Sequence, residues 1–251
     1  MVLTLIIILS AVGGSVVVAF AATVVWFKCW VSRNTRDTSK APTDEKKPVT
    51  IVFTDIESST LLWSTEPELM AIAIDQHHAL IRKCVQRCNG YEVKTIGDSF
   101  MVAFTKPANG LRFAVDVQKA LYDFDWGTNA FDDIYKEKYQ RSSLHGHDHG
   151  AAPETPVDRA NTLRAKFETD CYHDLWNGLR VRVGIHTGEA KIDYDQVSCG
   201  YDYYGPAVNC TARVESLGHG GQVLVSDAAR DAALAESSSS KFTFTSLGKY
   251  F

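Results

Sequence analysis

Tyr91-Glu92-Val93-Lys94-Thr95-Ile96-Gly97-Asp98-Ser99-Phe100-Met101-Val102-Ala103-Phe104 is the stretch from which the fold can be read. Two runs rich in β-branched and aromatic residues, 91–96 and 99–104, meet at Gly97-Asp98, so the segment predicts a tight hairpin. Upstream, Asn89-Gly90 marks a turn. Before it, Met70, Ile74, His77, Ile81, Cys84, Val85 and Cys88 recur at three- and four-residue spacings, one face of a helix that Pro67 can open. Still earlier, the short β-branched run 49–53 reads as a buried strand. Downstream, Leu111, Ala114, Val115, Gln118 and Leu121 predict a second amphipathic helix. Residues 126–174 then turn polar and irregular, an insertion placed at about 127–175. After it come a strand at 179–186, a helix at 208–217, a strand at 222–226, a helix at 227–235 and a last strand at 242–247. The first six elements have the split βαβ, ferredoxin-like order of an α+β domain. If the hairpin pairs beside the first strand, Asp98 at its tip approaches Asp55.

The 251 residues are 45% hydrophobic and 22% charged with a formal net charge of -4, which suits a folded domain. No basic stripe stands out, so a nucleic-acid polymer is not an expected partner. Residues 1–27 carry no charge and are long enough for one transmembrane helix. Lys28, Arg33, Arg36 and Lys40 follow it, which predicts a single-pass protein of the cell membrane with everything after Lys28 in the cytoplasm. A cleaved signal peptide is the alternative, since Ala19-Phe20-Ala21 mimics a cleavage site. Against it, there is no basic leader and the apolar run continues past that point. Ala11, Ser15, Ala19 and Thr23 put small residues on one face of the span, as close contact between two such helices requires. Residues 28–47 read as a polar juxtamembrane linker, and the folded domain as 48–251. The six cysteines form no CxxC pair and are expected as thiols. Cys29 is either a palmitoylation candidate at the membrane edge or a plain thiol.

Three constellations carry candidate chemistry. In Phe53-Thr54-Asp55-Ile56-Glu57-Ser58-Ser59-Thr60, a carboxylate ends a buried strand and small polar residues lead toward a helix start, where phosphate is favoured. Asp55 is thus a metal candidate and Ser58, Ser59 and Thr60 are substrate candidates, although a strand-end aspartate is also a common helix cap. Asp98 could share cations with Asp55, although Gly-Asp is equally an ordinary hairpin turn. Asn209 and Arg213, four apart on one helix face, could act together or be a plain surface pair.

Taken in order, FTDIESST (53–60), EVKTIGDSF (92–100), VRVGIHTG (181–188) and YDYYGPAVNCTARVES (201–216) resemble class III nucleotidyl cyclase catalytic domains. Their wording, with the single N-terminal span, is similar to the kinetoplastid receptor-type adenylate cyclases. The resemblance covers residues 48–251 apart from much of the insertion. It implies that Asp55, Asp98 and the Ile56 carbonyl hold Mg²⁺ or Mn²⁺, two ions per active site. It also implies that Lys94 and Asp202 select the purine, Asn209 positions the ribose and Arg213 stabilises the transition state. Lysine only donates and an ionised aspartate only accepts, which matches the adenine edge; guanine presents the reverse pattern. ATP is therefore the expected substrate, and cyclic AMP and pyrophosphate the products. The family builds each site across a head-to-tail dimer, so a homodimer with two equivalent sites is expected. The competing readings are a weak or silent cyclase-like partner of an intact cyclase and, less favoured by Lys94 and Asp202, a guanylate cyclase. Two departures stand out. The insertion is longer and more polar, with His145, His147, Asp148 and His149 read as a solvated loop in preference to a metal site. The chain also ends at Phe251, before the family's triphosphate-binding basic residue, and lacks the large extracellular domain. A fragment or truncated product is therefore expected.

Overall fold

The computed structural model describes residues 37–145, 176–236 and 242–248. The apolar run 1–27 and most of the insertion, including His147, Asp148 and His149, lie outside the described residues. Among the described residues no helix is long and apolar enough to cross a membrane.

The chain forms β1 (Val49–Ile56), α1 (Ser59–Thr65), α2 (Pro67–Arg87), β2 (Tyr91–Ile96), β3 (Ser99–Phe104) and α3 (Pro107–Tyr122). It continues through α4 (Ala130–His145), β4 (Val181–Gly188), β5 (Lys191–Asp195), β6 (Gly200–Tyr204), α5 (Pro206–Ser216), β7 (Val223–Val225) and α6 (Asp227–Leu234). Proline opens α2, α3 and α5 at a first-turn position, where its missing N–H costs no helix bond. The main sheet runs β2-β3-β1-β4-β7, with β3 and β4 antiparallel to β1 and β7 parallel to β4. The order β2-β3-β1-β4 is the expected split βαβ arrangement, and the hairpin does pair beside β1, with Thr54 opposite Phe100.

Strand alternation sends side chains to two cores. Val52 and Ile56 of β1, with Val181, Val183 and Ile185 of β4, face α2, α3 and α6. Val49, Ile51 and Phe53 face the other way, toward Ala207 at the start of α5 and Tyr203 of β6. The same alternation puts Asp55 and Arg182 on the α5 side of the sheet, and this parity decides what the site contains.

Two expectations are corrected, and one element goes beyond them. The insertion is not irregular from its start: α4 occupies Ala130–His145 and anchors on buried Phe131 and Tyr135. Its apolar residues are few, so its polarity masks the helical period. No strand forms at 242–247; Phe242 and Phe244 pack against the core without pairing to an edge. The hairpin β5–β6 was unforeseen, because Lys-Ile-Asp-Tyr-Asp is nearly all exposed and carries no buried face to read.

Candidate active site

One group of the candidate residues gathers where β1 ends and the β2–β3 hairpin turns. The Ile56 N–H donates to Asp98 Oδ2 at 3.2 Å, so the hairpin tip is tied to β1 and the two aspartates share one corner. Ser99 Oγ donates to Asp55 Oδ1 at 2.5 Å. On its other oxygen Asp55 meets Arg182, its register partner on β4, with Nη2 2.5 Å from Oδ2. Arg182 Nε in turn reaches Glu215 Oε1 in the last turn of α5. Burial lifts the Glu215 carboxyl above its usual range; Asp55 and Asp98 push the same way, and Arg182 only partly offsets them. Two carboxylates thus flank one guanidinium, with Asp98 held beside them by the Ile56 N–H, and the corner is rich in negative charge.

That donor set fits a hard divalent cation. Asp55, Asp98 and the Ile56 carbonyl would supply few protein ligands, leaving coordination to substrate phosphates, as Mg²⁺ prefers. Among the described residues no group of three or more His, Cys, Asp or Glu side chains is arranged to hold a metal alone.

The next residues lie under the inserted helix. Ser58 adopts a left-handed conformation with φ of 57° before α1, and its hydroxyl accepts from Lys138 of α4 at 2.7 Å. Glu57 is buried and accepts from Lys138 Nζ at 3.2 Å, from the Gly220 N–H at 3.0 Å and from the Tyr139 hydroxyl. Tyr135 donates to the Glu57 carbonyl at 2.9 Å. The insertion therefore clamps the turn that carries Ser58, Ser59 and Thr60. A cleft of about 270 Å³ opens there between Ser58, Lys138, Arg182 and Gly218.

The other candidate residues lie on β2, β6 and α5. Lys94 Nζ donates to both Asp202 oxygens, at 3.0 and 2.9 Å. The pairing follows from Tyr91, whose hydroxyl accepts the Tyr201 N–H at 2.8 Å and donates to the Tyr201 carbonyl at 3.1 Å, pinning β6 against β2. Burial alone would raise the Asp202 carboxyl; hydrogen bonds from Lys94, the Tyr203 N–H and the Tyr204 hydroxyl prevail and hold it below its usual value. One helix turn past the Gly205 corner, whose φ is 110°, Asn209 and Arg213 stand exposed on α5.

The structure thus joins Asp55, Ile56 and Asp98 in one cluster and Lys94 with Asp202 in another. Sequence reading missed Arg182, Glu215, Ser99, Glu57 and Lys138 as neighbours of the site. Arg182 did leave a signal, since a charged residue alternating with valines in a buried strand must face something polar.

A family model described as the adenylate and guanylate cyclase catalytic domain matches residues 41–251. The chain is similar to the receptor-type adenylate cyclase GRESAG 4.2 of Trypanosoma brucei brucei, 45% identical over 88% of this chain and 37% of that protein. It is also similar to a receptor-type adenylate cyclase of Trypanosoma equiperdum, 47% identical over 81% of this chain and 41% of that one. The chain spans less than half the length of these relatives. A solved Trypanosoma brucei adenylate cyclase in its monomeric state superposes with a TM-score of 0.69 at 44% identity, covering 77% of this chain and 78% of that one.

Proposed function

Because this chain belongs to the adenylate and guanylate cyclase catalytic domain family, we propose that it converts ATP to 3′,5′-cyclic AMP and pyrophosphate at sites shared between two copies of itself. The observation that carries the choice of ATP is the Lys94–Asp202 pair at 2.9 Å. Its ammonium can donate to adenine N1 and its carboxylate can accept from the adenine amino group. Tyr203 and Tyr204 keep Asp202 ionised and fixed, so the base meets a preformed edge.

Asp55, Asp98 and the Ile56 carbonyl would hold the cations, Mg²⁺ or Mn²⁺, two per site. When bound, divalent cations acidify the 3′-hydroxyl and neutralise the triphosphate. The 3′-oxygen loses its proton and bonds to the α-phosphorus, and the bond to the bridging oxygen breaks to release pyrophosphate. Arg213 neutralises charge growing on the α-phosphoryl oxygens, and Asn209 holds the ribose so that the oxygen is aligned. The turn at Ser58, Ser59 and Thr60 receives the triphosphate.

Two copies arranged head to tail would bring the aspartates of one to the purine pair, Asn209 and Arg213 of the other. Ile96 beside the hairpin tip is 69% exposed and Val197 in the β5–β6 loop is 94% exposed, apolar surface that a second copy would cover. Residues 1–27 are proposed as the single membrane span, 28–47 as the linker and 48–251 as the cytoplasmic catalytic domain.

The test is a measurement of cyclic AMP and cyclic GMP made by the full chain with Mn²⁺ and each triphosphate. Cyclic AMP alone is expected. Lys94→Glu combined with Asp202→Ser should shift the ATP-to-GTP preference by at least about fivefold, since an unpaired polar group on the base edge costs about 1–3 kcal/mol. Equal use of GTP by the unaltered chain, or an unchanged preference in the double variant, would overturn the assignment.

A further inference from the structure

Within one chain, the guanidinium of Arg182 links Asp55 to the helix that carries Asn209 and Arg213. Arg182 lies opposite Asp55 in the β1–β4 register and spans from Asp55 to Glu215. Glu215 is two residues beyond Arg213, in the last turn of the helix that also carries Asn209. That turn rests directly on β4. A Cβ added to Gly184 would come within 2.3 Å of the Glu215 backbone nitrogen, so nothing separates helix from strand. The three side chains are 30%, 20% and 13% exposed for Arg182, Asp55 and Glu215, too enclosed for water to screen them fully.

We propose that Arg182 is a positioning residue that carries the loading of Asp55 to α5, and so couples the two active sites of a dimer. This rests on the metal-binding role of Asp55 proposed above. In the structure Arg182 divides its charge between Asp55 and Glu215. A cation placed on Asp55 takes that carboxylate's charge and repels the guanidinium, which is left to Glu215 alone. The last turn of α5 is then held more firmly to β4. Because a chain's Asp55 serves one site and its Asn209 and Arg213 serve the other, filling one site conditions its neighbour. Arginine suits such a bridge because it stays charged and its planar fork presents separate donors to two carboxylates, which lysine's single ammonium cannot do in the same geometry.

Hydrogen exchange of the full chain, with Mn²⁺ alone as the probe and its binding followed by electron paramagnetic resonance, tests the link. Arg182 Nε and Glu215 Oε1 form a close ion pair without hydrogen-bond geometry. If Mn²⁺ frees the guanidinium to turn fully onto Glu215, exchange of the amides at 213–217 in the unaltered chain should slow by about tenfold, the size that one charge-assisted hydrogen bond gives to a local opening. Glu215→Gln, which keeps the shape, should still bind Mn²⁺ while α5 ceases to respond. Arg182→Lys should lose the response as well, and it decides the question if Glu215→Gln folds poorly. Asp55→Asn should show the slowed exchange without Mn²⁺, because its Arg182 is already released. No response in the unaltered chain, or a response that survives in both Glu215→Gln and Arg182→Lys, overturns the coupling while leaving the proposed activity standing. Mn²⁺ binding undiminished in Asp55→Asn overturns the metal assignment, and the coupling with it.

Discussion

His77 is the residue whose surroundings most clearly set a pH limit on this fold. It is fully buried in α2, its ring meets Phe100 edge-on at 5.9 Å, and neither ring nitrogen has a hydrogen-bond partner among the described residues. Burial, with a smaller contribution from the charge of neighbouring His78, lowers its pKa from 6.5 to about 3. The folded state therefore holds His77 neutral where the unfolded chain would protonate it. Its contribution is fully present above pH 6.5 and is lost as pH falls from 6.5 toward 3, by about 1.4 kcal/mol per pH unit at most. Urea unfolding at pH 6.5 and pH 5 should show a stability loss about 2 kcal/mol larger in the unaltered chain than in His77→Leu. Parallel losses in the two proteins would show that His77 is not the titrating group. The apolar spacing placed His77 on the buried face of a helix, but two unpartnered ring nitrogens depend on what packs above it. By contrast Asp55, Asp98, Lys94 and Asp202 could be singled out from their motifs, while their partners Arg182 and Tyr91 could not. Those partners lie more than 100 residues away in sequence.

At the scale of elements, the contact of α5 with β4 controls how Asn209 and Arg213 are presented. Gly184 leaves room for that contact, and the obstruction to any side chain there is Glu215 backbone at 2.3 and 2.5 Å, which cannot rotate aside. Gly184→Ala should lift the helix and cost about 1–3 kcal/mol in overpacking, with a melting temperature lower by about 2–4 °C for each kcal/mol. Cyclic AMP production measured well below the melting transition should fall further than the loss of folded protein explains. Unchanged melting and unchanged turnover would mean that α5 adapts freely and that its seat on β4 has no functional weight. The elements with a buried face, β2, β3, α2 and α3, were legible because burial imposes a period of 2 or 3.6 on the sequence. The exposed hairpin β5–β6 and the polar helix α4 escaped because their periodicity is weak. Yet β6 delivers Asp202, and α4 delivers Lys138 to the Ser58 turn.

For the whole molecule, the decisive question is whether the two half-sites meet across chains. One chain carrying Asp55→Ala and another carrying Arg213→Ala should each be nearly inactive as homodimers, since both of their sites lack a needed group. Co-expressed, the two lesions fall together in one site of a mixed dimer, and the other site receives an intact Asp55 and an intact Arg213. Cyclic AMP should reappear, up to about half of the normal rate per mixed dimer if the sites act independently. Failure to complement despite demonstrated mixed dimers would place the site within one chain or reassign Arg213. If residues 1–27 do anchor the chains in one membrane, anchored variants should complement better than soluble ones through their higher local concentration.

The sequence by itself determined the strand order of the β1-to-β4 core with helices α2 and α3, the hairpin that brings Asp98 to Asp55, and the motifs that hold the candidate residues of both proposed half-sites. It could do so because hydrophobic period and turn chemistry are local properties, written in consecutive residues. Only the tertiary structure decided that Arg182 faces Asp55, that Glu215 shares it, that Tyr91 seats Asp202 beside Lys94, and that the insertion grips the Ser58 turn. Each of these depends on strand register and on which face of the sheet a helix covers. Register is fixed by pairing between segments far apart in the chain, and a slip of one residue would turn Arg182 from α5 toward the opposite core.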